Sequence, residues 1–239
     1  MTGSDAFIRR VMGIFAHPDD PEFFAGATFA KWASEGAHIT FVLATSGDKG
    51  SADPEMTSER LIEIREQEER NAAAALGVKE VIFLRYRDGE LAPTLDLRRD
   101  ITRMIRMKQP DIVVTCDPTV FWSGSFSINH PDHRAIGEAT LAAIYPTARD
   151  RLNFIEQERD EGLVVHKVQQ VYIAGAKEPS VKVDITKYLD TKIASLRHHV
   201  SQIADMDAMA ARVKDRTLDT EAPIDQPRYI ERFHVITLG

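Results

Sequence analysis

Near the start of the chain, Ala16-His17-Pro18-Asp19-Asp20-Pro21-Glu22 puts one imidazole and three carboxylates directly behind the apolar run Val11-Met12-Gly13-Ile14-Phe15. Far downstream, His130-Pro131-Asp132-His133 repeats both side-chain types. Neutral imidazole and carboxylate are the donors that a divalent zinc or iron site uses, and three protein ligands with one open position is the catalytic arrangement. The recurrence of both types in both clusters points to one metal site assembled from two distant segments. Each cluster also has a plainer reading. The first can be a helix N-terminus with capping carboxylates. In the second, His130 can be an N-cap, with Pro131 at the first helical position and Asp132 near the positive helix end.

Elements with buried-strand character carry these clusters. Val11 to Ala16 reads as strand one, and at the carboxyl end of a parallel strand a cluster faces the crevice where α/β sheets bind ligands. Glu22 to Glu35 follows as a helix, with Phe23, Ala27, Ala30 and Trp32 broadly on one side and Gly36 at the left-handed C-terminal position. His38 to Ala44 is a second buried strand, ending in the loop Thr45-Ser46-Gly47-Asp48-Lys49-Gly50. That loop lacks the glycine spacing of a P-loop and reads as ligand-facing. Ser58 to Leu76 is a charged helix with a solvated face, Val81 to Leu84 a third strand, Leu95 to Lys108 a helix and Asp111 to Cys116 a fourth strand. Asp117 to Asn129, with Phe121, Trp122, Gly124 and Phe126, has no periodicity, and a connection that long is usually functional. His130 to Ile144 is a helix, Tyr145 to Val165 polar and irregular, Val168 to Ala174 strand five and Val181 to Asp184 a short extra strand. A helix from Asp184 runs to Ile203, and Met206 to Val213 extends it or forms another turn. Tyr229 to Thr237 is a final strand, on a sheet edge or beside a neighbouring subunit. The alternation predicts an α/β fold over residues 1–239, one domain, built as a three-layer sandwich with a mostly parallel Rossmann-like sheet.

Composition narrows the class. The chain has 239 residues, 43% hydrophobic and 28% charged, with a formal charge of -7. That balance argues against a nucleic-acid partner, because phosphate binding wants a basic face. Cys116 is the single cysteine, so no intrachain disulfide exists; it reads as a small residue at the end of a buried strand. No run approaches the ~20 apolar residues of a membrane helix, and Val11 to Ala16 is too short for a signal-peptide core. The expectation is a soluble, cytoplasmic protein with no membrane partner.

Together the two clusters resemble the PIG-L (LmbE-like) family of zinc-dependent de-N-acetylases. Further pieces fall in the family's order: Thr45-Ser46-Gly47-Asp48-x-Gly50, Arg65-x-x-Glu68 leading to Leu76-Gly77-Val78, Arg87-Asp88-Gly89, and Leu196-Arg197-x-His199-x-Ser201-Gln202. The resemblance spans about Val11 to Gln202. It departs where the family often has a glycine-rich stretch, at Phe24-Ala25-Gly26-Ala27-Thr28. It implies His17, Asp20 and His133 as metal ligands, zinc with ferrous iron as the alternative, and Asp19 as general base. His130, three residues before His133 and beside a helix N-terminus, is placed to stabilise an oxyanion or protonate the leaving amine, and Asp132 is its expected orienting partner. The family pattern moves Arg65 and Asp88 from surface pair and turn residue towards sugar hydroxyls; His199 and Gln202 are further candidates for the pocket. Glu22 supports the first motif from outside the ligand set.

The activity so implied is hydrolysis of an N-acetyl group on an N-acetylglucosamine-type sugar or sugar conjugate. The pocket mouth is expected from Ser46 to Gly50, Arg87 to Gly89 and the Phe121-Trp122 segment, where an aromatic face suits a pyranose ring. Two alternatives compete. One is a metal-dependent amidase or phosphoester hydrolase on a non-sugar substrate; the other is a non-catalytic sugar- or nucleotide-binding module. A homo-oligomer is compatible with the chain, with the C-terminal strand as the interface.

Overall fold

A computed structural model describes residues 10–123 and 127–239. Gly124 and Phe126 of the long connection lie outside the described residues. Four apolar runs become β1 (Arg10–Phe15), β2 (His38–Thr45), β3 (Glu80–Tyr86) and β4 (Ile112–Cys116). All of β4, and all but the first residue of β1 and β2, are buried, as expected of strands covered on both faces. Between them run α1 (Asp20–Ser34), α2 (Ser58–Ala75) and α3 (Leu95–Lys108). Thr57 and Thr94 start α2 and α3 by accepting the N–H groups of Arg60 and Leu97, each at 3.2 Å.

The rest of the chain adds a small hairpin, β5 (Trp122–Ser123) with β6 (Ser127–Ile128), then α4 (Pro131–Ala142) and α5 (Ile155–Arg159). β7 (Gln170–Ala174), β8 (Val181–Asp184), α6 (Leu189–Leu196), α7 (Met206–Thr217) and β9 (Ile230–Thr237) complete it. Seven strands form one sheet in the order β3-β2-β1-β4-β7-β9-β8. The first five are parallel, and β9 runs antiparallel to both neighbours. Helices α1 and α2 pack against α6 while α3 packs against α4, so the expected three-layer α/β sandwich is what forms. Strand order reverses between β1 and β4, and that switch point opens a crevice beyond their carboxyl ends.

Three expectations are corrected. β9 is neither an edge nor free for a neighbouring subunit; it lies inside the sheet, and the four-residue β8 takes the edge. Alternating polar and apolar residues suit any antiparallel strand with one wet face, so the pattern alone cannot tell the two positions apart. The helix after Asp184 stops at Leu196 instead of running to Ile203, because the turn beyond it sends His199 into the core. The Tyr145 to Val165 stretch is not wholly irregular: a π-turn over 143–147 runs into it and α5 lies within it.

α1 is broken at Ala25, whose φ of -147° is not helical. The break frees backbone groups inside the protein. Glu231 of β9 accepts the N–H groups of Ala27 and Thr28 at 3.2 and 2.8 Å, and Lys192 of α6 donates to the Phe23 carbonyl at 2.8 Å. Lys192 and Glu231 then pair at 2.6 Å, both buried. A buried ion pair is usually costly; here each member also satisfies backbone that the break leaves open.

Candidate active site

At the end of β1 the chain turns sharply. Asp19 takes a left-handed φ of 98°, which costs a non-glycine residue about 1–3 kcal/mol and persists where the surroundings hold it. The turn lets adjacent carboxylates diverge. Asp20 opens α1 and sits 3.3 Å from His17 Nδ1 and 2.9 Å from Nε2 of His133, on the first turn of α4. One ligand atom from each of the three lies within 4.8 Å of the others.

The far side of each imidazole is also fixed. His133 Nδ1 meets the Asn129 side-chain oxygen at 3.0 Å, and the Asn129 amide nitrogen donates to the Val120 carbonyl at 2.8 Å. Asn129 therefore presents oxygen and holds a proton on His133 Nδ1, which leaves Nε2, 2.9 Å from Asp20, as the nitrogen that a cation would take on displacing its proton. His17 Nε2 faces Asp132 Oδ2 and Asp88 Oδ1, both at 3.2 Å. A proton on Nε2 is held there, which leaves Nδ1, on the Asp20 side, as the nitrogen that a cation would take on displacing its proton. A ligating histidine with its other ring N–H held by a carboxylate or carbonyl oxygen is the arrangement metal sites use.

Electrostatics agree with that donor set. Burial lowers the His17 ring, but Asp20, Asp132 and Asp88 outweigh it and push it up to about 12. Burial lowers His133 too, and Asp20 more than compensates. Burial penalises Asp20, yet His133 and His17 hold it well below the usual carboxylate range. The cluster attracts positive charge. A divalent cation fits the donors by type, number and tautomer, and its binding would displace the ring protons.

Asp19 and His130 flank the three. Burial pushes the Asp19 carboxyl up to about 6 against the pull of Arg65. His130 caps α4, its Nδ1 accepting the Asp132 N–H at 3.2 Å, so the cap reading and the site reading describe the same residue. Burial and the neighbouring His17 lower its pKa, and the neutral ring carries its proton on Nε2. Asp132 stands only 3.9 Å from His130 Nδ1; its nearer partners are His17 and the N–H groups of Gly89 and Leu91, at 2.7 and 3.2 Å. The residue expected to orient His130 mainly braces His17 and the turn after β3.

The remaining candidates divide. Asp88 joins the cluster through His17. Arg65 is buried and its guanidinium is engaged by the protein, donating to Pro18 O at 2.7 Å, Gly47 O at 3.2 Å and Asp19 at 3.3 Å. Gly47, at φ 67°, is required there, since a Cβ would collide with that guanidinium. His199 does not reach the pocket. It is fully buried, 3.5 Å from Glu22 and 3.8 Å from Glu69. Gln202 ties its turn to the Gly50 carbonyl at 3.0 Å.

Sequence reasoning missed Asn129 and Glu69, and it placed Asp48 only in a ligand-facing loop without a role of its own. Asp48 is buried and accepts the Asp88 N–H at 2.9 Å, which sets the loop bearing Asp88. Its place in the Ser46-Gly47-Asp48 loop was a usable signal; Asn129 and Glu69 gave none without the fold.

A cavity of about 630 Å³ opens beside His130 and His133, walled by Phe24, Val120, Ile128 and Arg216 among others. Phe121 and Trp122 do not line it. Arg134 lies 4.4 Å over one face of the Phe121 ring and Lys177 4.9 Å over one face of Trp122, and both aromatic side chains stay largely exposed. The expected aromatic platform therefore lies outside the lining of this cavity.

Three comparisons bear on this geometry. The family described as PIG-L, GlcNAc-PI de-N-acetylase, matches residues 12–144. Diacetylchitobiose deacetylase of Thermococcus kodakarensis is 32% identical over 198 residues, 83% of this chain and 72% of that protein. The 1D-myo-inositol 2-acetamido-2-deoxy-alpha-D-glucopyranoside deacetylase of Thermomonospora curvata is 30% identical over 246 residues, 82% of this chain and 81% of its own. Among solved structures, N,N'-diacetylchitobiose deacetylase from Pyrococcus horikoshii superposes with a TM-score of 0.86 at 29% identity, covering 96% of this chain and 84% of that one.

Proposed function

Because the chain belongs to the PIG-L family of de-N-acetylases, we propose that it is a metal-dependent hydrolase that removes the acetyl group from an N-acetylglucosamine-type sugar or sugar conjugate. The observation that carries this is the donor set: His17 Nδ1, Asp20 and His133 Nε2 converge, with the far nitrogen of each ring already held. We assign the site to zinc, with ferrous iron served by the same donors.

When bound, the ion would supply a Lewis acid that acidifies water and polarises an amide carbonyl. The protein's own groups supply the proton movements. Asp19, free of the ligand set and braced by Arg65, takes the proton from the attacking water as general base. His130 donates from Nε2 to the oxygen on which negative charge develops. The same ring, with its centroid 4.5 Å from that of His17 and 5.5 Å from that of His133, is the group we assign to protonate the amine that leaves. Asp88, half-way between the Asp48 loop and His17, is the carboxylate we assign to a sugar hydroxyl, and the backbone of Arg87 to Gly89 to the rim.

The experiment is free-amine release from N-acetylglucosamine, its dimer, sugar conjugates and acyclic N-acetyl amines, with chelated and metal-reloaded protein. Sugars should be cleaved only by reloaded enzyme, and a site built for hydroxyls should reject acyclic acetamides by about 10⁴-fold. Equal cleavage of acyclic acetamides would refute the sugar assignment, and full activity after chelation would refute the metal.

A further inference from the structure

Behind the ligand set lies a sealed cluster that the proposed chemistry does not use. Glu22, Glu69 and His199 have no solvent exposure. Both oxygens of Glu22, Oε1 of Glu69 and both ring nitrogens of His199 lack a hydrogen-bond partner among the described residues. Groups that polar are buried together at a cost, so the cluster needs a reason to exist. The side-chain bond that leaves it supplies one: Glu69 Oε2 accepts the Asp19 backbone N–H at 3.0 Å.

The other end of the same peptide unit is held as well. Its carbonyl is Pro18 O, which takes the 2.7 Å bond from Arg65. Arg65 and Glu69 stand four residues apart on α2, one turn, and so present to the same side. Two side chains on one helix face therefore grip the Pro18–Asp19 peptide by its C=O and its N–H. That peptide leads into the left-handed Asp19, a conformation that does not hold itself. Glu22 and His199 close around Glu69 from α1 and the turn after α6, which leaves its carboxyl no other direction.

We propose that Glu69 is a positioning residue: by clamping the Pro18–Asp19 peptide together with Arg65, it aims the Asp19 carboxylate at the reacting water. The inference rests on Asp19 acting as the base. Displacing that carboxylate by about 1 Å would cost about 10²-fold in rate, without touching the groups that hold metal or substrate.

The test compares Glu69→Ala and Glu69→Gln, in the wild-type chain and in an Asp19→Asn background, by steady-state kinetics and metal content of the metal-loaded protein. Glu69→Ala should lower kcat by about 10²-fold with KM within about twofold and a full equivalent of metal. Glu69→Gln keeps an oxygen that can accept the same N–H and should recover most of that loss. In the Asp19→Asn background Glu69→Ala should cost almost nothing further, because the carboxylate it aims is gone. If Glu69→Ala does not fold, Glu69→Met fills the volume without the acceptor and takes its place. An equal loss in both backgrounds means a merely structural role and overturns the proposal. So does an unchanged kcat, or the loss of a second equivalent of metal, which would make the cluster a cation site. A fully active Asp19→Asn enzyme is the separate result that removes the base, and the clamp with it.

Discussion

Removing the Asp132 carboxylate should weaken metal binding and stability together, in amounts that its contacts set. The residue is completely buried; Oδ2 accepts from Gly89 N at 2.7 Å and from His17 Nε2 at 3.2 Å, and Oδ1 from Leu91 N at 3.2 Å. Burial opposes its ionisation, but His17 and the Gly89 N–H hold it below the usual carboxylate range. In Asp132→Ala two backbone N–H groups lose their acceptor inside the protein, at about 1–3 kcal/mol each, so unfolding should become easier by about 2–6 kcal/mol. The same change frees the His17 ring from its brace and should lower metal affinity about 10–100-fold. Asp132→Asn keeps one oxygen. If that oxygen stays with Gly89 and His17, only Leu91 N–H faces an amide nitrogen, and the stability loss should fall to about 1–3 kcal/mol. The assays are urea unfolding of metal-free protein and competition for metal against a chromophoric chelator. If Asp132→Ala lost only kcat, with unfolding and metal affinity as in the wild type, Asp132 would act through His130 and the bracing argument would be wrong.

Other outcomes follow from the same structure. His17→Ala, Asp20→Ala and His133→Ala should each purify with less than a full equivalent of metal and without activity; elemental analysis showing a full equivalent in all three would remove the assignment. Arg106 is 2% exposed and donates to the carbonyls of Thr147, Ala148, Asp150, Asn153 and Phe154 and to Gln157. Arg106→Met should therefore cost at least about 3 kcal/mol by denaturant unfolding while kcat per folded enzyme is unchanged, since none of those partners belongs to the site. Burial pushes the Glu22 carboxyl up to about 8 from 4.5. A group raised in the folded state stabilises it fully below the unfolded value, and that contribution is lost as pH climbs through the folded one. Metal-free wild type should thus lose stability relative to Glu22→Gln between about pH 4.5 and about pH 8; parallel unfolding curves across that range would contradict the burial of a bare carboxyl there.

What the amino-acid sequence determined by itself was the chemistry and its approximate address. His17-Pro18-Asp19-Asp20 and His130-Pro131-Asp132-His133 supply the candidate donors, because metal ligation selects side-chain types and type is written in the chain. The buried strands β1, β2 and β4 were legible for a similar reason: local apolar runs between turn residues suffice to mark a strand covered on both faces. Where β9 sits was not legible, since alternation tells which face is wet and says nothing of the neighbours on either side. The direction of each ring was equally hidden. Which nitrogen of His133 is free depends on Asn129, whose own orientation depends on Val120, and which nitrogen of His17 is free depends on carboxylates 71 and 115 residues away in the chain. Arg65 looked like a ligand-binding cation and His199 like a pocket residue, because motif membership carries no information on whether a side chain points at substrate or back into the protein. Only tertiary structure decided that. It folds α2 against the β1 turn, turns Arg65 and Glu69 onto one peptide, and buries His199 behind it, since hydrogen bonds to a backbone are set by position in space and leave no pattern in the sequence that forms them.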